Sequence, residues 1–261
     1  ERSEDKIMYH GIFDTHAHYD DEKFDEDREA LLTSLNSKGV INVINCGCDL
    51  ASSLKSIEFA EKYGYFYSAV GIHPSNITDE SYDELKKIKE LYSHPKCVAV
   101  GEIGLEYHYD FVPKDKQLDI FEKQIALANE LDLPVIVHDR EAHEDTMNLL
   151  KKYKPRGVVH CFSGSVEMAK EVLKLGMYIG LGGAVTFKNA RKPLEVAEFV
   201  PTDRLLLETD CPYMSPVPFR GQRNSSDLIA FSAEKIAEVK GMNTQALIDI
   251  ANENAHSLFN I

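Results

Sequence analysis

Short β-branched apolar runs alternate with longer stretches of helical periodicity along the whole chain. The runs place strands at Gly11–His18, Val40–Cys46, Phe66–Ile72, Cys97–Ile103, Pro134–His138, Gly157–Cys161, Tyr178–Gly182 and Leu205–Thr209. Several, such as Val135-Ile136-Val137 and Leu205-Leu206-Leu207, are apolar without a break. Unbroken runs mark strands buried on both faces, as in a parallel sheet covered by helices. Helices are predicted over Phe24–Ser37, Leu54–Tyr63, Tyr82–Tyr92, Asp115–Leu131, Glu144–Tyr153, Val166–Leu175, Ala190–Phe199, Asp227–Val239 and Thr244–Phe259. Leu118, Phe121, Ile125 and Leu127 show the helical spacing most clearly, and Gly64 supplies a C-terminal stop.

Strand and helix repeated in this way fit a closed α/β barrel or an open doubly wound sheet. The polar residues decide between them. His16 and His18 close the first strand, two apart and so on one face. Glu102 ends the fourth strand, His138 the fifth and His160 the sixth; Asp210 follows the eighth, and His73 lies just past the third. Each alone has a structural explanation, as a hydrogen-bonded histidine, an ion-paired glutamate or a helix-capping aspartate. Together they place ionisable groups at the same end of successive buried strands, where an unpartnered charge is costly. In a closed parallel barrel those ends share one rim. An open sheet would hold the first and eighth strands far apart. The expected fold is therefore a single (β/α)8 TIM barrel, one domain over 1–261, with the site at the C-terminal ends of the strands.

Imidazole and carboxylate donors without thiolate suit Zn²⁺, Mn²⁺ or Fe²⁺ and tolerate Mg²⁺. Six such groups exceed one tetrahedral ion and suit two divalent ions about 3.5–4 Å apart that share a carboxylate. Glu102, midway along the set, is the expected bridge. His16, His18 and Asp210 would hold one ion, and His138 and His160 the other. Asp210 is the expected general base.

The chain has 261 residues, a size common for one such barrel. Its net charge of −14 argues against a long nonspecific nucleic-acid groove. It leaves room for a site that grips a few phosphates through metal ions. Five cysteines in no zinc-finger spacing, in apolar and strand-like surroundings, read as reduced thiols of a cytoplasmic protein. No apolar run is long enough to span a bilayer. Glu1–Lys6 is charged and polar, unlike a secretory signal, and reads as an extension ahead of a start near Met8.

Asp14-Thr15-His16-Ala17-His18, Gly71-Ile72-His73-Pro74, Gly101-Glu102-Ile103-Gly104-Leu105, His160-Cys161-Phe162-Ser163-Gly164 and Leu207-Glu208-Thr209-Asp210-Cys211-Pro212-Tyr213 resemble the signature blocks of the TatD deoxyribonucleases. These belong to the amidohydrolase-like metallo-dependent hydrolases. The resemblance runs from about His10 to Phe259. It implies a TIM barrel, two divalent ions and nuclease action on DNA, with His16, His18, Glu102, His138, His160 and Asp210 as ligands. Two positions depart from the family pattern. Glu106 stands where an aspartate is usual, and Arg220-Gly221-Gln222-Arg223-Asn224 runs on into Ser225-Ser226 where a proline is usual.

For DNA as substrate, Arg140 and Arg220 are the favoured phosphate contacts, with Lys188 and Arg223 as further candidates for which a surface cation is an equal reading. Tyr107 and His108 are candidates for a terminal nucleotide, and His73 is a further candidate substrate contact. The expected activity is 3′-to-5′ exonuclease action on single-stranded DNA, with a short contact at a strand end. An amide, lactone or ester hydrolase on the same metals is the rival enzyme. A non-catalytic binding protein is the rival from another class, and it predicts lost ligands. No obligatory protein partner is evident.

Overall fold

The computed structural model describes residues 8–261. The extension read from Glu1–Lys6 lies outside the described residues. Eight strands, β1 (Ile12–Ala17), β2 (Val40–Cys46), β3 (Phe66–Val70), β4 (Cys97–Glu106), β5 (Val135–Arg140), β6 (Gly157–Val159), β7 (Tyr178–Leu181) and β8 (Leu205–Leu207), pair in parallel in chain order. The β8–β1 seam closes at its upper end. Ala17 bridges Cys211 in parallel, the Asp210 N–H donates to the His16 carbonyl, and the His18 N–H donates to the Cys211 carbonyl, both at 2.9 Å. The closing bonds therefore lie at the residues that carry His16, His18 and Asp210. The fold is the (β/α)8 barrel expected from the sequence.

The helices are α1 (Arg28–Ser34), α2 (Leu50–Lys62), α3 (Ser81–Leu91), α4 (Lys114–Glu130), α5 (His143–Tyr153), α6 (Val166–Lys174), α7 (Arg191–Phe199), α8 (Ile229–Lys240) and α9 (Thr244–Phe259). Two apolar layers separate inside from outside. Val43, Val100, Val135, Val137, Ile179, Leu205 and Leu207 pack outward with the helices. Phe13, Ile44, Ala69, Ile136, Val158, Tyr178 and Leu206 fill the barrel, plugged from below by Leu258 and Phe259 of α9. Strand side chains alternate. The inward residue two places above Ile136 is His138, above Val158 it is His160, and above Leu206 it is Glu208. Apolar filling thus gives way to ionisable groups at one level.

Boundaries moved where local chemistry overrode periodicity. The helix expected over Phe24–Ser37 is three pieces, with one-turn 3-10 helices at Glu22–Phe24 and Leu35–Lys38 flanking α1. Gly39 ends the last piece at φ +89°, where an added Cβ would lie 2.0 Å from the Tyr9 carbonyl oxygen. Helix α2 starts at Leu50, earlier than expected, because Asp49 and Ser52 cap each other reciprocally. β4 and β5 run on to Glu106 and Arg140, whereas β6 and β8 stop two residues short of expectation. The cysteines also depart from expectation. All five are free thiols, but Cys48 and Cys161 lie in loops past β2 and β6, Cys161 at φ +42°.

Candidate metal centre

β4 delivers Glu102 to the middle of the upper rim, 3% exposed. Its two carboxylate oxygens face different partners. Oε2 lies 3.1 Å from His16 Nε2 and 3.2 Å from His18 Nε2. Oε1 lies 2.8 Å from His160 Nε2, 3.0 Å from His138 Nδ1 and 3.5 Å from His73 Nε2. Asp210 closes the first group, its Oδ1 3.5 Å from His16 Nε2 and 3.3 Å from His18 Nε2. His16 and His160 stack face to face at 3.7 Å across the two groups. Asp210 turns into the site at φ +60°, a conformation aspartate tolerates better than most residues.

The titration directions describe an anionic centre that draws positive charge: burial alone would lower His18, His138 and His160, but the surrounding acidic groups outweigh it and raise all three. Burial would raise the Glu102 carboxyl, but His160, His16 and His73 outweigh it and hold it well below the usual carboxylate range. Asp210 is lowered in the same way, burial being outweighed by His18, His16 and His160. Burial pushes His73 down to about 3, against the pull of Glu102, so its imidazole is a neutral lone-pair donor at neutral pH. Neither ring nitrogen of His160 makes a well-aligned hydrogen bond, although Nε2 lies 2.8 Å from Glu102 Oε1 and Nδ1 3.7 Å from Glu208 Oε1. Buried polar atoms are seldom left so. Converging imidazoles around an ionised carboxylate, with ring nitrogens among them that lack an aligned hydrogen bond, fit divalent metal ions. The donor clusters are His16/His18/Asp210, His16/Glu102/His160 and His73/Glu102/His138, with Cys48 joining His18 and Glu102 in a fourth.

A surrounding layer holds these groups. His18 Nδ1 lies 2.9 Å from the Cys46 carbonyl, so Nδ1–H donates there and the Nε2 lone pair faces Glu102. Asp14 accepts from the His16 N–H at 3.2 Å, the Thr209 N–H at 3.0 Å, the Thr209 hydroxyl at 2.6 Å and the Ser226 hydroxyl at 2.7 Å. It ties β1 to the chain after β8, and burial pushes its carboxyl up to about 7. Glu208 Oε1 accepts from the Cys161 N–H and lies 3.7 Å from His160 Nδ1. Glu106 Oε2 lies 3.1 Å from His138 Nε2.

Sequence reasoning gave no role to Asp14, Cys48, Glu106 or Glu208. Glu208 carried a signal, standing two residues after Leu206 of the eighth strand and therefore in line with the barrel filling. Glu106, noted only as a departure from the family pattern, uses its longer side chain to reach His138. Cys48 carried none, because only the packing of β1 against β2 brings it within 3.8 Å of His18 Nδ1.

The candidate substrate contacts divide. His73 sits in the centre itself. Arg140 is exposed at the end of β5, its guanidinium 5.0 Å from the Tyr109 ring centre. Lys188 is exposed and makes no ion pair or hydrogen bond among the described residues. His108 is exposed and paired with Glu141 at 2.8 Å. Tyr107 turns away from the centre; its hydroxyl donates to Asp145 at 2.7 Å and its ring lies under Lys114. Arg220 is held in its own loop, donating to the Ser215 carbonyl at 2.9 Å with its guanidinium 3.8 Å from the Phe187 ring centre. Arg223 is spent on a two-point pair with Asp27 at 2.7 Å.

Residues 13–260 match the family model described as TatD related DNase. The chain is 45% identical over 253 residues to a Bacillus subtilis protein named uncharacterized metal-dependent hydrolase YabD, covering 96% of this chain and 99% of that one. It is 34% identical to the 3′-5′ ssDNA/RNA exonuclease TatD of a Rahnella species, over 91% of this chain and 94% of the relative. The crystal structure of YjjV, a TatD homolog from Escherichia coli, superposes with a TM-score of 0.89 at 33% identity, covering 96% of this chain and 98% of that one.

Proposed function

Because this chain belongs to the TatD-related DNase family of metal-dependent hydrolases, we propose that it is a two-metal deoxyribonuclease that trims single-stranded DNA from the 3′ end. One observation carries the reading. The two oxygens of Glu102 face two separate sets of imidazoles, the arrangement of a carboxylate shared between two ions. His16, His18 and Asp210 would hold one ion, and His138 and His160, with His73 beside them, the other. Bound there, such ions make a water nucleophilic near neutral pH and offset charge on the phosphoryl oxygens.

The remaining work falls to side chains. Asp210, ionised and least enclosed of the central carboxylates, orients the attacking water and accepts its proton on Oδ. Glu102 stays ionised and fixes the spacing of the two donor groups. Glu208, Glu106 and the Cys46 carbonyl hold His160, His138 and His18 in register, so little reorganisation accompanies the reaction. Arg140 at the rim binds a neighbouring phosphate. The bond broken is the P–O bond to the departing 3′ oxygen; water supplies the new P–O bond, and the proton taken up by Asp210 passes to the departing oxygen.

The test is digestion of end-labelled single- and double-stranded oligonucleotides with Mg²⁺, Mn²⁺ and Zn²⁺ in parallel, beside simple lactones, amides and esters. Stepwise loss of 3′ nucleotides from single strands supports the reading. Faster turnover of the small esters, with nucleic acid untouched, overturns it in favour of the rival hydrolase.

A further inference from the structure

The loop after β4 carries a pair of rings that the chemistry above does not use. Tyr109 and Phe111 lie parallel, centroids 5.0 Å apart and planes 9° apart. Tyr109 is 44% exposed and Phe111 69% exposed. His108 meets Tyr109 edge-on at 4.8 Å, and the Arg140 guanidinium lies 5.0 Å from the Tyr109 ring centre. Single exposed aromatics are ordinary on protein surfaces. Here two rings are already stacked, and Phe111, covered on one side only, leaves a ring face open for a third.

The stack is tied to the metal centre. Glu106 accepts from the backbone N–H of His108 at 2.9 Å and of Tyr109 at 3.4 Å. The same carboxylate contacts His138, and His138 contacts Glu102. One side chain thus fixes both the loop and a member of the centre.

We propose that Tyr109 and Phe111 form a stacking platform that seats an unpaired nucleobase of the substrate strand beside the scissile phosphodiester, with Arg140 meeting the adjoining phosphate. The inference rests on the nuclease reading and names how that site selects its strand. Three physical points favour a base as the occupant. A ring face recognises any nucleobase without requiring charge, which suits a protein of net charge −14. The cation that a flanking phosphate needs is already over the stack. A base inside a duplex has both faces covered, so the platform favours an unpaired one.

The chain has no tryptophan, so Phe111→Trp installs a single reporter in the platform. The metal-loaded variant is titrated with a short single strand of hydrolysis-resistant linkages, and with an abasic strand of equal length and charge. The base-bearing strand quenches the tryptophan and the abasic strand does not; equal quenching by both, or none, overturns the platform. In kinetics, Tyr109→Ala and Phe111→Ala raise KM for base-bearing strands roughly tenfold, the scale of one lost base–aromatic stack. Their kcat stays within twofold, and KM for the abasic strand is unchanged. A KM that is unmoved, or raised equally on both strands, overturns the platform while the nuclease reading stands. Failure of the unmodified protein to cut any nucleic acid removes that reading and this inference with it.

Discussion

At the scale of single residues, the two carboxylates at the centre have separable tasks. Glu102 faces both imidazole groups, so its loss is felt in both halves of the site. Glu102→Ala should abolish turnover and lower bound metal at both positions, measured as metal per chain after equilibrium dialysis. Two ions per chain with normal turnover would exclude a shared carboxylate. Asp210 touches only the His16/His18 group. Asp210→Asn keeps the shape of the side chain but cannot take a proton, and a general base contributes about 10²–10⁴-fold. Its kcat at saturating metal should fall within that range with the fold intact by circular dichroism. A loss under tenfold would assign the proton to another group. The arginines also separate at this scale. Arg223 is engaged with Asp27, which it holds below the usual carboxylate range. Arg220 is engaged with Ser215 and Phe187. Arg140 is the arginine among these three whose side chain makes no hydrogen bond among the described residues.

At the scale of elements, strand ends act together because alternation brings Ile136, Val158 and Leu206 inward one step below His138, His160 and Glu208. The level is kept by small residues opposite. Gly180 on β7 faces Glu208, and a Cβ there would lie 2.6 Å from Glu208 Oε2 and 3.1 Å from the His160 Cα. Gly180→Ala should therefore displace the Glu208 carboxylate from behind His160. Outer partners of metal ligands typically contribute 10–100-fold in affinity. Calorimetric titration should show about tenfold weaker binding at the His138/His160 position and little change at the other. Equal affinities in the variant and the parent would mean that Glu208 only packs. The interruption of the first predicted helix belongs to this scale too. Gly39 must turn the chain into β2 against the Tyr9 carbonyl, and a continuous helix would not reach that position.

At the scale of the whole molecule, net charge sets how substrate is met. A chain of −14 cannot draw in DNA by its long-range field. On the proposed function, binding would come from metal ions, the Arg140 rim and contacts that carry no charge. Few phosphates neutralised means few counterions released, at roughly 0.7 per phosphate in the salt slope on single strands. KM should then rise only shallowly with salt, and linear single strands should be cut faster than circular ones. The measurement is kinetics on both forms over a salt series at constant free metal. Equal rates on the circle, or a steep slope, would point instead to an endonuclease with an extended groove. No helix among the described residues is long and apolar enough to cross a membrane.

The barrel was legible in the sequence because several of its strands, such as those of Val135-Ile136-Val137 and Leu205-Leu206-Leu207, are buried on both faces, and such burial writes short apolar runs that alternate with helical periodicity. The rim was legible for a related reason. Ionisable groups at the ends of those runs are too costly to leave alone, so His16, His18, Glu102, His138, His160 and Asp210 implied one another before any coordinates. Element boundaries were less legible, because capping by Asp49 and the turn at Gly39 are local chemistry that overrides periodicity. What surrounds the centre was settled only by tertiary structure. Asp14 and Ser226 meet across the closing seam at a separation of 212 residues, and Cys48 reaches His18 only because β2 lies beside β1. The fates of Tyr107, Arg220 and Arg223 were likewise undecidable from the chain. A side chain's type says which partners it can take, and only the packed molecule says which partner is within reach.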